Sequence, residues 1–145
     1  MMGIKYQNVI VAIDGSEASK KAFQKAILVA NNNDARLIIT HVIDARTYGA
    51  LNVYNESLTI ETNKAVEELV QHYAEKASEA GVTEIVTCIE HGTPKQKITK
   101  DIAKKYNADL IICGARGLNA VERLFLGSVS EGLIRNATCD VLVVR

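Results

Sequence analysis

Two short glycine segments near the C-terminus carry the residue types and the spacing of an anion-binding site. Gly114 and Gly117 follow an apolar run directly, and after nine further residues Gly127 and Ser128 open a predicted helix. Glycine after a strand lets backbone N–H groups come close to a phosphate, because no Cβ intervenes. A helix N-terminus adds unpaired N–H donors and the positive end of the helix dipole, and Ser128 and Ser130 add hydroxyl groups. Together these features predict a cradle for several phosphate groups.

The same residues also have an interpretation that needs no ligand. Glycines at the end of a strand can simply turn the chain, and Ser128 with Glu131 forms the Ser-x-x-Glu pattern of a helix capping box. The segment is not a Walker A loop, since no Gly-Lys-Ser/Thr occurs, and it is not a Gly-x-Gly-x-x-Gly fingerprint. From the residues alone, anion binding and a plain strand-to-helix connection both stay open.

Asp14 is the acidic residue best placed for chemistry, since it follows the apolar run 9–13 directly. It is either a carboxylate that binds a ligand or the N-cap of the next helix, a position that aspartate favours. The histidines are expected to be structural, with His41 packed in the core, His72 on a polar helix face and His91 in a loop. No two histidines have the spacing of metal ligands, so a zinc site is not expected.

Alternating strand and helix signals predict the frame that holds these residues. Short apolar runs indicate strands at 9–13, 36–43, 109–113 and 140–144, and an alternation of apolar and polar residues indicates another at 83–90. Apolar residues at helical spacing indicate helices at about 18–30, 58–80, 93–107 and 128–135. The alternation predicts one α/β domain over residues 1–145, an open and mostly parallel five-stranded sheet with helices on both faces. In such sheets ligands bind at the carboxyl ends of the strands where the strand order reverses.

The longest predicted helix spans about 58–80. Its expected buried residues are Ala65, Leu69, Tyr73, Ala77 and Ala80. Gly81 is expected as a left-handed C-cap, and five glutamates are expected on the solvated face, namely Glu61, Glu67, Glu68, Glu75 and Glu79. The preceding stretch from Asp44 to Ser57 is irregular, and its role as loop, lid or partner surface stays open.

Composition and charge exclude several classes of protein. The chain has 145 residues, of which 48% are hydrophobic and 23% charged, so a disordered protein is excluded. The chain has 17 Lys and Arg residues and 17 Asp and Glu residues. This balance argues against a protein that binds nucleic acid or an anionic membrane through a large positive net charge. Neither a membrane span nor a secretory signal is expected. Cys88, Cys113 and Cys139 are expected to be buried, reduced thiols, and the protein is expected in the cytoplasm.

The glycine spacing also resembles the nucleotide-binding motif of the universal stress protein family, in its ATP-binding branch. The resemblance rests on Gly114-x-x-Gly117, nine residues and Gly127-Ser128, and it extends to the segments 9–16, 37–42, 109–112 and 139–144. It covers essentially the whole chain. It implies a Rossmann-like sheet of strand order 3-2-1-4-5, with ATP across the tips of strands one and four.

The resemblance also implies roles for individual residues. Asp14 would hydrogen-bond the ribose hydroxyls, while Ala12 and the backbone of Val42 would line and recognise the adenine. The residues implied around the ribose and phosphates are Gly114, Arg116, Gly117, Gly127, Ser128, Val129 and Ser130. Mg²⁺ would be held mainly by the phosphates, because no acidic pair is placed to hold it. The family commonly dimerises through its last strand, which implies a homodimer through Val141–Val144.

Two functional hypotheses follow. The first is an ATP-binding regulatory or stress-response module with little or no hydrolysis. The second is a slow ATPase or an adenylate-transferring enzyme on the same fold. Phosphoryl transfer needs charge stabilisation and a group that positions the nucleophile. Asp14 is assigned to the ribose and only Arg116 and Arg123 supply charge, so the first hypothesis is favoured; the downstream protein partner is left unidentified.

Overall fold

Five parallel strands form a single sheet in the computed structural model, which describes residues 5–44, 56–117 and 126–145. The strands are β1 (Asn8–Ala12), β2 (Arg36–Ile43), β3 (Ile85–His91), β4 (Leu110–Gly114) and β5 (Asp140–Val144). Their order across the sheet is β3-β2-β1-β4-β5. This confirms the predicted order 3-2-1-4-5, with β1 and β4 adjacent at the centre, where the direction of winding reverses.

Helices connect the strands and cover both faces of the sheet. They are α1 (Glu17–Asn33), α2 (Glu56–Glu79), α3 (Pro94–Gln96), α4 (Ala103–Lys105) and α5 (Ser128–Asn136). A π-helical stretch, Lys97–Ile102, joins α3 to α4, so residues 94–105 form one continuous helical segment. This segment starts at Pro94, within one residue of the predicted start at 93. Asn107, just beyond its end, has a left-handed conformation with a φ of 51°.

Two hydrophobic cores lie on opposite faces of the sheet. One joins α1 and α2 to side chains such as Val9, Val11 and Ile39, all 0% exposed. The other joins residues 98–103 and α5 to Ile10, Ile38 and other side chains of the opposite strand face. Because successive strand side chains point to opposite faces, near-continuous apolar strands can supply both cores at once.

The buried stripe of α2 differs from the prediction. Val66, Val70, Tyr73 and Ala77 are its buried residues, whereas Ala65 and Ala80 are exposed and Leu69 is half-buried. The prediction of Ala65 and Ala80 as core residues is therefore wrong. The larger valines remove more apolar surface from water than alanines do, and so the helix turns them inward.

The ends of α2 are closer to expectation. Gly81 follows it with a φ of 102°, in agreement with a glycine at the C-cap, and the five glutamates named above are all exposed. The helix begins at Glu56, so the last two residues of the stretch predicted as irregular are helical. Residues 45–55 of that stretch lie outside the described residues, as do residues 118–125 of the glycine-rich connection. Over the described ranges, no helix is long and apolar enough to cross a membrane.

Candidate functional site

The carboxyl ends of β1 and β4 meet at the point where the strand order reverses. β1 pairs with β4 from Val9 to Val11, so the residues after these two strands lie at the same edge of the sheet. Asp14 follows β1, and the first glycine segment follows β4. A reversal of strand order opens a crevice in α/β sheets, which makes this edge the candidate site.

Asp14 is held in a tight turn and is not the helix cap. Its Oδ1 accepts a hydrogen bond from the backbone N–H of Ser16 at 2.9 Å, and Gly15 between them has a φ of 85°. Ser16 is the N-cap of α1, because its hydroxyl accepts from the N–H of Ser19 at 3.1 Å. The capping interpretation of Asp14 is therefore excluded, since Ser16 fills that position. The second carboxylate oxygen, Oδ2, is turned toward the glycine segment.

Gly117 lies against that oxygen. A Cβ added to Gly117 would be 3.1 Å from Asp14 Oδ2, with no other heavy atom within 4 Å outside its immediate neighbours among the described residues. A side chain here would occupy space directly beside the carboxylate. The absence of a Cβ at Gly117 thus keeps the crevice between the ends of β1 and β4 open.

Gly114 serves a different purpose. A Cβ on this residue would be 2.7 Å from the carbonyl carbon of Ala18 and 2.8 Å from its Cβ. The glycine therefore allows the first turn of α1 to pack directly on the end of β4. This contact accounts for the glycine by packing, and the sequence did not predict Ala18 as its partner.

The two glycine segments are tied to each other by short hydrogen bonds. The N–H of Gly127 donates to the carbonyl of Ala115 at 2.6 Å. The Ser130 hydroxyl lies 3.0 Å from that same carbonyl and 3.0 Å from the carbonyl of Gly127. Ser130 is only 2% exposed. Its hydroxyl hydrogen is thus directed at backbone carbonyls of the site, and Ala115 is a site residue that the sequence analysis missed.

The start of α5 offers backbone donors to this crevice. Gly127 is the N-cap, and it provides no side-chain cap. The first intrahelical bond runs from the N–H of Glu131 to the carbonyl of Gly127, so the N–H groups of Ser128, Val129 and Ser130 precede the helical ladder. The predicted capping box of Ser128 and Glu131 is wrong, because Ser128 is the first helical residue and the Glu131 carboxylate pairs with Arg135 at 2.8 Å.

Two predicted adenine-contacting residues, Ala12 and Val42, lie on the sheet beside the crevice. The pairing of β1 with β2 ends at Ala12 and Thr40, and the N–H of Ile13 then donates to the carbonyl of Thr40 at 2.9 Å. N–H and C=O groups alternate direction along a strand, so those of Val42 point the same way as those of Thr40. They therefore extend past the end of β1, toward the crevice.

Arg116 and Ser128 are exposed beside the crevice, whereas Arg123 lies outside the described residues. Among the described residues, no group of three or more His, Cys, Asp and Glu side chains is arranged to hold a metal ion. The site is built mainly from backbone groups, with one carboxylate and one exposed guanidinium.

The histidines lie in three different settings. His72 is exposed on α2, in agreement with the prediction. The prediction of a loop position for His91 is wrong, because this residue ends β3, with its Nε2 3.3 Å from Asn63 Oδ1. His41 is 6% exposed, and its Nδ1 is 2.7 Å from the carbonyl oxygen of Ile13. The prediction of a packed core histidine is confirmed for His41, although its Nε2 is buried and has no partner in the described part of the chain.

The cysteines are unpaired, and two are in the core. Cys88 and Cys113 are buried, while Cys139 is half-buried rather than buried. Burial raises the pKa of the Cys113 thiol to about 12, and burial together with the nearby charge of Asp140 raises the pKa of Cys139. Thiolate is the reactive form of cysteine, so neither residue is activated as a nucleophile.

Comparison with known proteins agrees with this architecture. The model of the universal stress protein family matches residues 5–145. A putative universal stress protein of Staphylococcus haemolyticus is 49% identical over 142 residues, which cover 98% of this chain and 86% of that protein. A putative universal stress protein of Staphylococcus aureus strain USA300 has the same identity and coverage.

Solved structures show the same fold. Universal stress protein UspA from Lactobacillus plantarum superposes with a TM-score of 0.88 at 29% identity, covering 99% of this chain and 100% of that one. A universal stress protein solved in complex with cAMP has a TM-score of 0.75 at 27% identity, with 98% of each chain covered. On the family match, the relatives and the shared strand order, this chain belongs to the universal stress protein family.

Proposed function

We propose that this protein binds ATP at the crevice between the ends of β1 and β4 and acts as a nucleotide-dependent regulatory module in the stress response. The observation that carries the proposal is that Asp14 Oδ2 borders open space beside Gly117, where an added Cβ would lie 3.1 Å from this oxygen. The uncapped start of α5, tied to the same loop through Ala115, supports it. A carboxylate acceptor and a cluster of N–H donors at one crevice suit a ribose that carries phosphates.

The adenosine part has three partners in this proposal. The N–H and C=O of Val42, beyond the end of β1, provide the donor and acceptor that an adenine edge requires. Ala12, half-buried at the end of β1, offers a small surface beside it. Asp14 accepts hydrogen bonds from the ribose hydroxyls through Oδ2, while Oδ1 stays on the N–H of Ser16.

Some residues of the proposed phosphate site contact the phosphates, and others hold the contacting groups in position. The N–H groups of Ser128 and Val129 and the exposed Ser128 hydroxyl face the phosphates in this proposal, while Gly127, whose N–H donates to the carbonyl of Ala115, holds them in position. Arg116 and Gly117 wrap the ribose and the first phosphates, and Gly114 lets α1 pack close beside them. Ser130 contributes its backbone N–H, while its hydroxyl holds the carbonyls of Ala115 and Gly127. Positive potential comes chiefly from backbone dipoles, which a net charge of zero does not reveal.

The relative solved in complex with cAMP supports an adenine nucleotide as the ligand class, at 27% identity. Mg²⁺, if it accompanies ATP, would be held mainly by the phosphates. The described residues fit that arrangement, since they provide no cluster of three metal-binding side chains. A bound Mg²⁺ would supply charge neutralisation of the phosphates.

A slow ATPase or adenylate transferase on the same fold is the alternative. Such an enzyme needs a residue that positions the attacking nucleophile near the phosphates. Asp14 is assigned to the ribose in our proposal, and Arg116 is the single described basic residue in the proposed set. We therefore propose binding with little or no hydrolysis.

The experiment that separates the two functions starts from protein purified directly from cells. After denaturation, the released nucleotide is identified by chromatography, and the intact protein is assayed for turnover of added ATP. Retained ATP without multiple turnover supports the regulatory module. ADP with multiple turnover favours the enzyme, and the absence of any nucleotide together with no rise in melting temperature on adding ATP would contradict both.

We further propose a cytoplasmic homodimer that does not bind nucleic acid or membrane. The balanced charge supports the exclusion of polyanionic partners, and three unpaired cysteines suit a reducing compartment. The dimer would form through Val141–Val144 of β5, which lies at an edge of the sheet.

A further inference from the structure

The peptide unit that joins Ile13 to Asp14 is held by side chains from two different elements. The ring of His41, on β2, places its Nδ1 2.7 Å from the carbonyl oxygen of Ile13. The N–H of Asp14 donates to the hydroxyl oxygen of Ser19, on α1, at 3.3 Å. Because this carbonyl and this N–H belong to one rigid plane, the two hydrogen bonds together fix the orientation of the backbone at Asp14.

The hydrogen bond of His41 to Ile13 has a defined direction. A carbonyl oxygen only accepts, so Nδ1 carries a hydrogen and donates it. The ring is 6% exposed, and its Nε2 is buried without a partner within residues 5–44, 56–117 and 126–145. A buried polar atom left unpaired costs free energy, and an apolar side chain would avoid that cost. What the imidazole adds over such a side chain is therefore its bond to the Ile13 carbonyl.

A chain of hydrogen bonds continues from this peptide unit to the Asp14 carboxylate. The hydroxyl of Ser19, a residue that is 3% exposed, donates to the carbonyl of Ser16 at 3.1 Å. The N–H of Ser16 in turn donates to Asp14 Oδ1 at 2.9 Å. Oδ1 is therefore engaged, and Oδ2 borders the open space beside Gly117. The direction of Oδ2 thus depends on the peptide plane that His41 and Ser19 hold.

We propose that His41 is a positioning residue for nucleotide binding, which directs Asp14 Oδ2 at the ribose hydroxyls by holding the Ile13 carbonyl. The inference rests on the proposed function and deepens it, since it assigns part of the affinity for the ribose to a residue outside the crevice. Neither ring nitrogen is available to a ligand, because Nδ1 is bonded to Ile13 and Nε2 is buried. Hydrogen bonds weaken steeply when their angle departs from the optimum, so a peptide unit free to rotate would weaken the ribose contact.

The test compares ATP with 2′,3′-dideoxy-ATP, which lacks both ribose hydroxyls. Isothermal titration calorimetry gives the Kd of each nucleotide, and the ratio of the two values isolates the ribose contact. We expect wild-type protein to bind ATP about tenfold more tightly than the dideoxy compound. His41→Leu has an apolar branch in place of Nδ1, and its ratio should fall below about threefold. His41→Asn keeps an N–H near the position of Nδ1 and should retain the wild-type ratio.

A matched control is provided by Thr40, the neighbour of His41 on β2. Thr40 is 0% exposed, and its hydroxyl donates to the carbonyl of Cys88 at 3.0 Å. Thr40→Val also removes a buried hydrogen bond to a backbone carbonyl, but one that does not hold Asp14, so the ratio should be unchanged. Ser19→Ala removes the acceptor on the other side of the peptide unit and should lower the ratio. Chemical denaturation gives the stability of each variant for comparison.

Several outcomes would overturn the inference. These are a wild-type ratio in His41→Leu, a ratio in His41→Asn as low as that of His41→Leu, and an equal fall in Thr40→Val. If His41→Leu does not fold, Ser19→Ala decides in its place, and a wild-type ratio there would overturn the inference. Wild-type protein that binds both nucleotides equally would also overturn it. Wild-type protein that binds neither nucleotide would contradict the proposed function itself, and this inference with it.

Discussion

Gly114 and Gly117 belong to the same motif but have different structural roles. Gly114 lies against the backbone of Ala18, so α1 can pack on β4 only because Gly114 has no Cβ. Gly117 lies beside the carboxylate of Asp14, where the neighbouring atom is the end of a side chain and not backbone. Backbone cannot yield to an added Cβ as a side chain can, and this difference separates a stability role from a binding role.

Alanine at each glycine should separate those roles. Gly114→Ala is expected to lower the free energy of unfolding by about 1–3 kcal/mol, because overpacking against backbone forces a shift of α1. Gly117→Ala should leave the melting temperature close to wild type and weaken ATP binding about tenfold or more, because its Cβ enters the crevice. Thermal unfolding and ATP titration of both variants provide the measurement. The opposite assignment of the two effects would contradict this account.

The two serines of α5 form a second matched pair. Ser130→Ala should cost about 0.5–1.5 kcal/mol of stability, because the buried hydroxyl no longer binds the carbonyls of Ala115 and Gly127. Ser128→Ala removes an exposed hydroxyl at the first helical position, so stability should change by less than about 0.5 kcal/mol while ATP affinity falls. Chemical denaturation and ATP titration measure both quantities. Equal loss of stability in the two variants would show that the division into positioning and contacting serines is wrong.

At the level of the elements, continuous apolar runs made most strands predictable. The bounds of β2 and β5 agree with the sequence prediction at both ends, because charged or turn-forming residues flank their apolar runs. The α2 stripe was less predictable, since alanine and valine positions at the same spacing compete for one face, and only packing against β2 and β3 decides between them. The turn at Asp14 was ambiguous for a similar reason, because both Asp14 and Ser16 suit an N-cap.

The buried Cys113 of β4 should make the stability of the protein depend on pH. Burial raises the pKa of Cys113 from its ordinary 9.0 to about 12 in the folded chain. The folded state therefore favours the protonated thiol, and this contribution is complete below pH 9 and is lost as the pH rises toward 12. Cys113→Ala should be less stable at neutral pH because it leaves a cavity, but its stability should fall less steeply with rising pH.

Denaturation of both proteins between about pH 8 and pH 11 measures that difference in slope. The variant keeps Tyr6 and Tyr73, whose pKa values are also raised, so the comparison isolates the thiol. Parallel curves for the two proteins would contradict a buried, protonated Cys113.

On the scale of the whole molecule, β5 forms an edge of the sheet, and its outer side has no neighbouring strand among the described residues. The carbonyl of Val144 accepts from the N–H of Ala115, so Val144 points its backbone groups at β4. Backbone groups alternate along a strand, which directs those of Val141 and Val143 outward. An apolar edge with outward N–H and C=O groups is suited to pairing with a second copy about a two-fold axis.

Proline at an outward position tests the proposed dimer. Val143→Pro removes an N–H that points away from β4, so the chain should fold while the dimer dissociates to monomers. Val143→Ala is the control, since it loses the same side chain but keeps the N–H, and it should remain a dimer. Light scattering after size-exclusion chromatography gives the mass of each species. A wild-type monomer, or a Val143→Pro dimer, would exclude this edge as the interface.

The central claim concerns the crevice between the ends of β1 and β4, and equilibrium dialysis tests it most directly. Radiolabelled ATP is dialysed against wild-type protein stripped of nucleotide and, in parallel, against Gly117→Val, whose side chain fills the space beside Asp14 Oδ2. We expect saturable accumulation of ATP with the wild-type protein and none with the variant. Equal ATP concentrations on both sides of the membrane for the wild-type protein, or equal retention by Gly117→Val, would contradict the account.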